Sequence, residues 1–311
     1  MGRGEGGLTL DAAATETAAP AQRRRRRRLD LTTPTLLGLP VSWLIVFFLV
    51  PIGIVGYYSF GPALAFSPHP LTLKTWHEAV HSGVYLHLFV KSAEMSLAVS
   101  AAVVVVAYPL AYYLALSGTR RKYVLLLLLI APFLTSYLLR VLAWKVILGN
   151  QGVVNTFLVW AGLRSADHPL SFLLYSRFAV MLVLGYLWLP FVALPIFVTL
   201  ETLDRGLLEA ASDLYASRLQ AFVRVTLPLS APGVVAAFLF VFIPTVGEFV
   251  TPSLVGGTGG YMYGSQIVDL FETGFPDWET GSVLAILLLG IVTAVTLVFV
   301  RFLRVGEGRT A

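Results

Sequence analysis

Three ionisable side chains sit inside otherwise apolar stretches of this 311-residue chain: Arg140, Lys145 and Glu248. At mid-bilayer each would cost at least about 2.5–3.5 kcal/mol, so such a group normally faces a pathway or a partner. On a helix turning about 100° per residue, Tyr137, Arg140 and Trp144 fall within about 60° of one another, giving one aromatic and polar face. Lys145 lies about 80° round from Tyr137, near the outer end of the same stretch, where its stem can snorkel. It is read as structural.

A second constellation is His77-Glu78-Ala79-Val80-His81, a match to H-E-x-x-H. In zinc proteases two histidines one helical turn apart bind the metal, and the glutamate is the general base. Here the match falls in a short external segment with no domain able to build a substrate cleft. A third ligand would have to come from His87 or Glu94. The expectation is a surface helix without metal, with membrane zinc proteolysis as the minor alternative. No Walker A pattern occurs, so no ATP hydrolysis is expected from this chain. The absence of cysteine removes thiolate metal sites and cysteine nucleophiles. The run Gly256-Gly257-Thr258-Gly259-Gly260 lacks the strand–helix context of a phosphate cradle and reads as a loop.

The elements that must position these residues are membrane helices. Hydrophobic residues make up 57% of the chain and charged residues 13%, against about 45–50% and 25% in soluble domains. Mean hydropathy is +0.80. Six stretches meet the length of roughly 20 apolar residues per span, at 35–60, 90–116, 123–148, 178–200, 233–255 and 283–303. Several carry proline (Pro51, Pro109, Pro132, Pro190, Pro195, Pro244, Pro252), which kinks a helix but is tolerated inside a bundle. The fold class expected is an all-α integral membrane protein. Residues 34–305 form the membrane domain, 1–33 a disordered cytoplasmic tail with six consecutive arginines at 23–28, and 306–311 a short C-terminal tail. Most lysines and arginines fall on one side if both termini are inside: the arginine run, then Arg120, Arg121 and Lys122, then Arg205, Arg218 and Arg224, then Arg301, Arg304 and Arg309. The positive-inside rule selects that orientation, so the arginine run anchors topology or contacts lipid, and nucleic acid is not an expected partner.

The segment 209–228 carries the most information. Leu207, Leu208, Ala211, Leu214 and Leu219 recur at spacings of three to five, with Asp213 and Arg218 between them, the pattern of a short amphipathic helix. Lying between two spans, it must dock on protein or on the membrane surface. Paired alanines let another backbone approach closely, and Glu209 supplies one orienting charge.

Glu209-Ala210-Ala211, followed by Leu214, Ala216, Phe222 and Leu227-Pro228, resembles the EAA loop of ABC importer permeases. Tyr215 stands where that family usually has glycine, at the turn after the first helical stretch. Tyr108-Pro109-Leu110-Ala111-Tyr112, Pro132-Phe133, the run from Ser136 through Arg140 and Trp144 to Gly152, and 242–252 resemble the spermidine/putrescine branch. The resemblance implies the type I (MetI-like) importer fold and a cytoplasmic coupling loop at 203–229. In that loop Glu209, Ala210, Ala211, Asp213, Leu214, Tyr215, Ala216, Arg218, Leu227 and Pro228 would meet the ATPase. It also implies a second homologous permease subunit, a dimer of ATP-binding subunits carrying ATP and magnesium, an extracytoplasmic substrate-binding protein, and a bacterial inner-membrane location. No cofactor is expected in this chain, and no bond chemistry.

A polyamine route should offer carboxylates and aromatic faces, the latter through cation–π attraction. Tyr137, Arg140, Trp144 and Glu248 are therefore expected along the translocation pathway, with Arg140 pairing Glu248 when no cation is bound. The alternative is a buried Arg140–Glu248 pair that never touches substrate. Other solutes consistent with the loop are opines, other organic cations or anions, the last favoured by Arg140.

Overall fold

The structure is a computed structural model that describes residues 32–61, 71–116, 120–165, 168–272, 274 and 276–307. The expected tail therefore lies outside the described residues, except that the first helix already begins at Thr32. At the other end the last helix continues to Glu307, two residues into the segment expected as a tail. Among the described residues the chain is helical, without a strand.

The chain divides into two units, Met1–Pro51 and Ile52–Ala311. In the first, α1 (Thr32–Leu44) runs through a π-helical segment, Ile45–Leu49, towards α2 (Val50–Tyr58). Its large apolar side chains are exposed all round, Trp43, Phe47 and Phe48 among them, the mark of a helix meant for lipid or for another chain.

The second unit holds α3 (Lys74–His81), α4 (Gly83–Leu116), α5 (Lys122–Ile130), α6 (Tyr137–Leu148), α7 (Val153–Trp160) and α8 (Arg177–Glu201). It continues with α9 (Arg205–Asp213), α10 (Arg218–Ala221), α11 (Leu227–Val246), α12 (Tyr263–Glu272) and α13 (Trp278–Glu307). Its core is built by α4, α8 and α11. On α4 the buried Val99, Val103, Ala107 and Ala111 recur every four residues and face Val180, Val183, Leu184 and Leu187 of α8. Close approach of α8 and α11 depends on Gly233, where a Cβ would lie 2.1 Å from Thr199 Oγ1. Small residues at such crossings are how helices associate where lipid removes the hydrophobic drive.

Five helical stretches are long and apolar enough to cross a membrane: Gly38–Tyr58, Gly83–Leu116, Arg177–Glu201, Arg218–Val246 and Trp278–Arg301. The third expected span is not one helix. It is a pair, Lys122–Leu134 and Tyr137–Trp160, bent by 88°. Pro132 lies in a 3-10 turn, Ala131–Leu134, and Thr135 is extended after it, with Thr135 Oγ1 donating to the Pro132 carbonyl at 2.6 Å before α6 begins. Proline and a hydroxyl that takes up a backbone acceptor are sufficient to stop a helix there.

The fifth span also departs from expectation. It begins at Arg218 rather than 233, and passes Pro228 directly after the π-helical turn Phe222–Thr226, where the regular i→i−4 ladder is already interrupted. It stops at Val246 instead of 255. Chain direction alternates as the topology requires. Lys122 at the start of α5 is ion-paired with Glu201 at the end of α8, and Thr75 Oγ1 bonds Glu279 of α13, 3.3 Å away.

Candidate coupling surface and translocation site

The segment 204–226 folds as two short helices around one sharp turn. Asp204 caps α9, its carboxylate accepting from Gly206 N at 2.9 Å. At the far end Tyr215 N donates to Ser212 O (2.9 Å) and Ala216 N to Ala211 O (3.0 Å). Tyr215 itself has φ +57°. This is a Schellman cap, whose left-handed residue is usually glycine because a Cβ there costs about 1–2 kcal/mol. The tyrosine thus adopts the backbone that glycine would supply, and the turn is kept. Ser217 and Gln220 then start α10 with a reciprocal capping box.

The outer face of this turn is bare. Tyr215 is 97% exposed and Leu214 82%; Glu209, Ala210, Asp213 and Arg218 are exposed, while Ala211 and Ala216 are half-buried. Leu227 and Pro228, expected in the loop, are exposed on the first turn of α11.

Behind the bare face lies an aromatic joint. The Phe222 ring meets Tyr108 edge-on at 5.8 Å and Tyr112 at 5.6 Å, so the loop segment and the Tyr108–Tyr112 segment, separate in sequence, pack together. Tyr108 carries the contact on to α11 through a 2.8 Å hydrogen bond between its hydroxyl and Ser230 Oγ. Ser230 had no signal in the sequence; it is an ordinary serine in an apolar run.

A second site forms where the two interrupted spans meet. After α11 ends, the Glu248 carboxylate accepts from Val250 N at 3.0 Å and Thr251 N at 3.2 Å, capping the helical turns that follow. Tyr137, at the start of α6, bonds Thr251 through its hydroxyl at 2.7 Å and lies within interaction range of Glu248 and Arg140. Tight packing holds this break, for a Cβ on Gly264 would fall 2.3 Å from the Gly247 carbonyl. Discontinuous helices whose free ends meet inside a bundle are where transported ions and solutes find backbone and side-chain partners. Thr251 and Phe133 were visible only as parts of longer motifs, without a role.

Arg140 and Glu248 are not paired in this conformation. The Arg140 guanidinium lies over the Phe133 ring at 4.4 Å, and its Nε and one terminal nitrogen are buried without a partner among the described residues. The Glu248 carboxylate turns one oxygen, Oε1, to the two amides of its own turn. The Trp144 ring meets Tyr186 at 5.4 Å and lines an apolar groove between α4, α6 and α8. Lys145 lies 5.8 Å over the Tyr175 ring, consistent with a structural role. On α3 the His77 and His81 rings stack at 4.1 Å, His81 Nδ1 is 2.8 Å from the His77 carbonyl, and Glu78 pairs with Lys74 at 3.7 Å. Among the described residues no third ligand gathers with them.

A family model described as the binding-protein-dependent transport system inner membrane component matches residues 107–305, which hold both sites. The chain belongs to that family. The spermidine/putrescine transport system permease protein PotB of Escherichia coli (strain K12) is 34% identical over 263 residues, covering 84% of this chain and 94% of its own length. PotB of Haemophilus influenzae is 34% identical over 262 residues, covering 84% and 90%. The crystal structure of a bacterial ABC transporter that imports the acidic polysaccharide alginate matches with a TM-score of 0.63 at 18% identity, over 88% of this chain and 96% of that one; this shows a shared fold. The permease is accordingly an inner-membrane transport subunit and not an enzyme.

Proposed function

We propose that this permease carries polyamines, spermidine or putrescine, as the membrane subunit of an ATP-driven importer. The observation that carries the coupling half is the turn at Tyr215, a rigidly capped helix pair whose exposed face presents Glu209, Ala210, Leu214 and Tyr215. Such a surface fits a groove in an ATP-binding subunit. Two copies of that subunit, with ATP and magnesium, a second homologous permease and an extracytoplasmic substrate-binding protein complete the assembly, and both termini face the cytoplasm. ATP binding closes the ATPases and moves α9, the helices pass from inward-open to outward-open, and hydrolysis resets them.

The substrate half rests on the relatives named for spermidine and putrescine, and on Glu248 beside Tyr137 where the two breaks meet. A cation passing there would draw the carboxylate and the aromatic hydroxyl towards it. An anionic solute is the second reading, favoured by the two unpartnered nitrogens of Arg140. Uptake of labelled spermidine into cells expressing the whole assembly, competed by putrescine, by an opine and by a dicarboxylate, separates them. Competition by the anion alone would overturn the polyamine reading.

A further inference from the structure

An apolar groove of about 580 Å³ runs between α4, α6 and α8. Its walls include Val99, Val103 and Val106 on α4 and Met181, Leu182 and Gly185 on α8. Its depth comes from Gly185, where a Cβ would already touch the Val103 side chain at 3.6 Å. Helix periodicity continues both walls to a cation. Lys91 precedes the lining Ala98 by seven residues, two turns or about 10 Å along the same face of α4. Arg177 precedes Met181 and Gly185 by steps of four at the first turn of α8. The two charges lie within electrostatic reach of one another.

Neither cation meets a carboxylate among the described residues. Lys91 is only 8% exposed, yet has no ion pair or hydrogen bond among the described residues. Arg177 uses its Nε on the Gly259 carbonyl at 3.2 Å. It also stands at the positive end of the α8 dipole. Two like charges held near one another favour an anion between them. The groove excludes a polyamine twice, by its apolar walls and by the repulsion at its mouth.

We propose that the groove holds an acyl chain of an anionic phospholipid whose phosphate is bound by Lys91 and Arg177. The apolar slot takes the chain as it would take any hydrocarbon, and the cation pair selects the headgroup. Each cation near a membrane surface adds a several-fold preference for an anionic lipid, so the pair gives on the order of tenfold.

Trp144 on the groove wall reports occupancy. The full chain is placed in nanodiscs of phosphatidylcholine containing either brominated phosphatidylglycerol or brominated phosphatidylcholine. The Trp144 contribution is the difference in quenching between wild type and Trp144→Phe, since the chain has six tryptophans. Half-maximal quenching by brominated phosphatidylglycerol is expected at a mole fraction about tenfold lower than by brominated phosphatidylcholine. The preference should vanish in Lys91→Gln/Arg177→Gln. If that double variant fails to fold, Gly185→Leu fills the groove instead and should remove the quenching itself. Soluble glycerol phosphate should not compete. Equal quenching by the two lipids, or competition by glycerol phosphate, overturns the proposal. So does a Trp144 shielded from both lipids, which would mean that a protein helix fills the groove.

Discussion

The Phe222 ring stands edge-on to Tyr112, with centroids 5.6 Å apart and planes at 82°. Phe222 belongs to the segment proposed to couple to an ATPase and Tyr112 to the C-terminal end of α4, so on that proposal a push on the segment would reach the helix core through packed rings. A matching contact with Tyr108 and the Tyr108–Ser230 hydrogen bond tie the same joint to α11.

Phe222→Ala removes two aromatic contacts, each worth about 1 kcal/mol beyond burial. The assembly is expected to form and to hydrolyse ATP, while uptake per ATP falls at least severalfold. Measuring ATPase rate and uptake on one reconstituted sample checks this. Proportional loss of both activities would show that Phe222 serves assembly rather than transmission.

Tyr215→Gly keeps the left-handed turn and removes the Cβ that opposes it. The expected gain is about 1 kcal/mol in local stability, read as slower amide exchange at the Tyr215 and Ala216 N–H groups. Tyr215→Val, β-branched at positive φ, should do the reverse and weaken binding of the ATPase. Unchanged exchange in both variants would contradict the strain assigned to this turn.

At Glu248 charge and capping can be separated. Glu248→Gln retains an oxygen acceptor for Val250 N and Thr251 N but loses the negative charge. Folding should therefore survive and polyamine uptake disappear. Glu248→Ala loses the cap as well, at about 1 kcal/mol, and should lower the thermal midpoint besides. Normal uptake by the Gln variant would restrict Glu248 to its capping role.

Gly233→Ala drives a methyl group into Thr199, whose hydroxyl is already held by the Pro195 carbonyl at 2.9 Å. A loss of about 1–3 kcal/mol is expected, seen as a lower unfolding temperature in detergent. Gly233→Ala/Thr199→Ala, which removes the hydroxyl 2.1 Å from the new Cβ, should recover part of it. No change in the single variant would refute the close crossing of α8 and α11.

Much of this was legible in the residues. Long apolar runs fixed the helical membrane class, and the spacing of Glu209, Ala210, Ala211 and Leu214 through Leu227-Pro228 pointed to the family. Hydropathy could not see the breaks, because Thr135-Ser136 and Gly247-Glu248 are too short to interrupt an apolar window. What ends each helix is local competition for backbone groups, by the Thr135 hydroxyl and the Glu248 carboxylate. Arg140, drawn on a helical wheel as a partner for Glu248, lies instead over the Phe133 ring. A wheel shows which residues share a face of one helix and nothing of how two helices are placed. Tyr215 misled in the other direction: the residue looked wrong for the turn, and the backbone adopts the turn regardless.

On the proposed function, transport is driven through the turn at 209–216. Because the chain has no cysteine, Ala210→Cys gives a single thiol on the exposed face of α9. With a cysteine placed on the groove of the ATPase subunit, oxidation should join the two chains in the assembled importer. ATP-driven spermidine uptake should stop, and return on reduction. A thiol that stays freely reactive in the complex, or a cross-linked complex that transports at the full rate, would contradict the account.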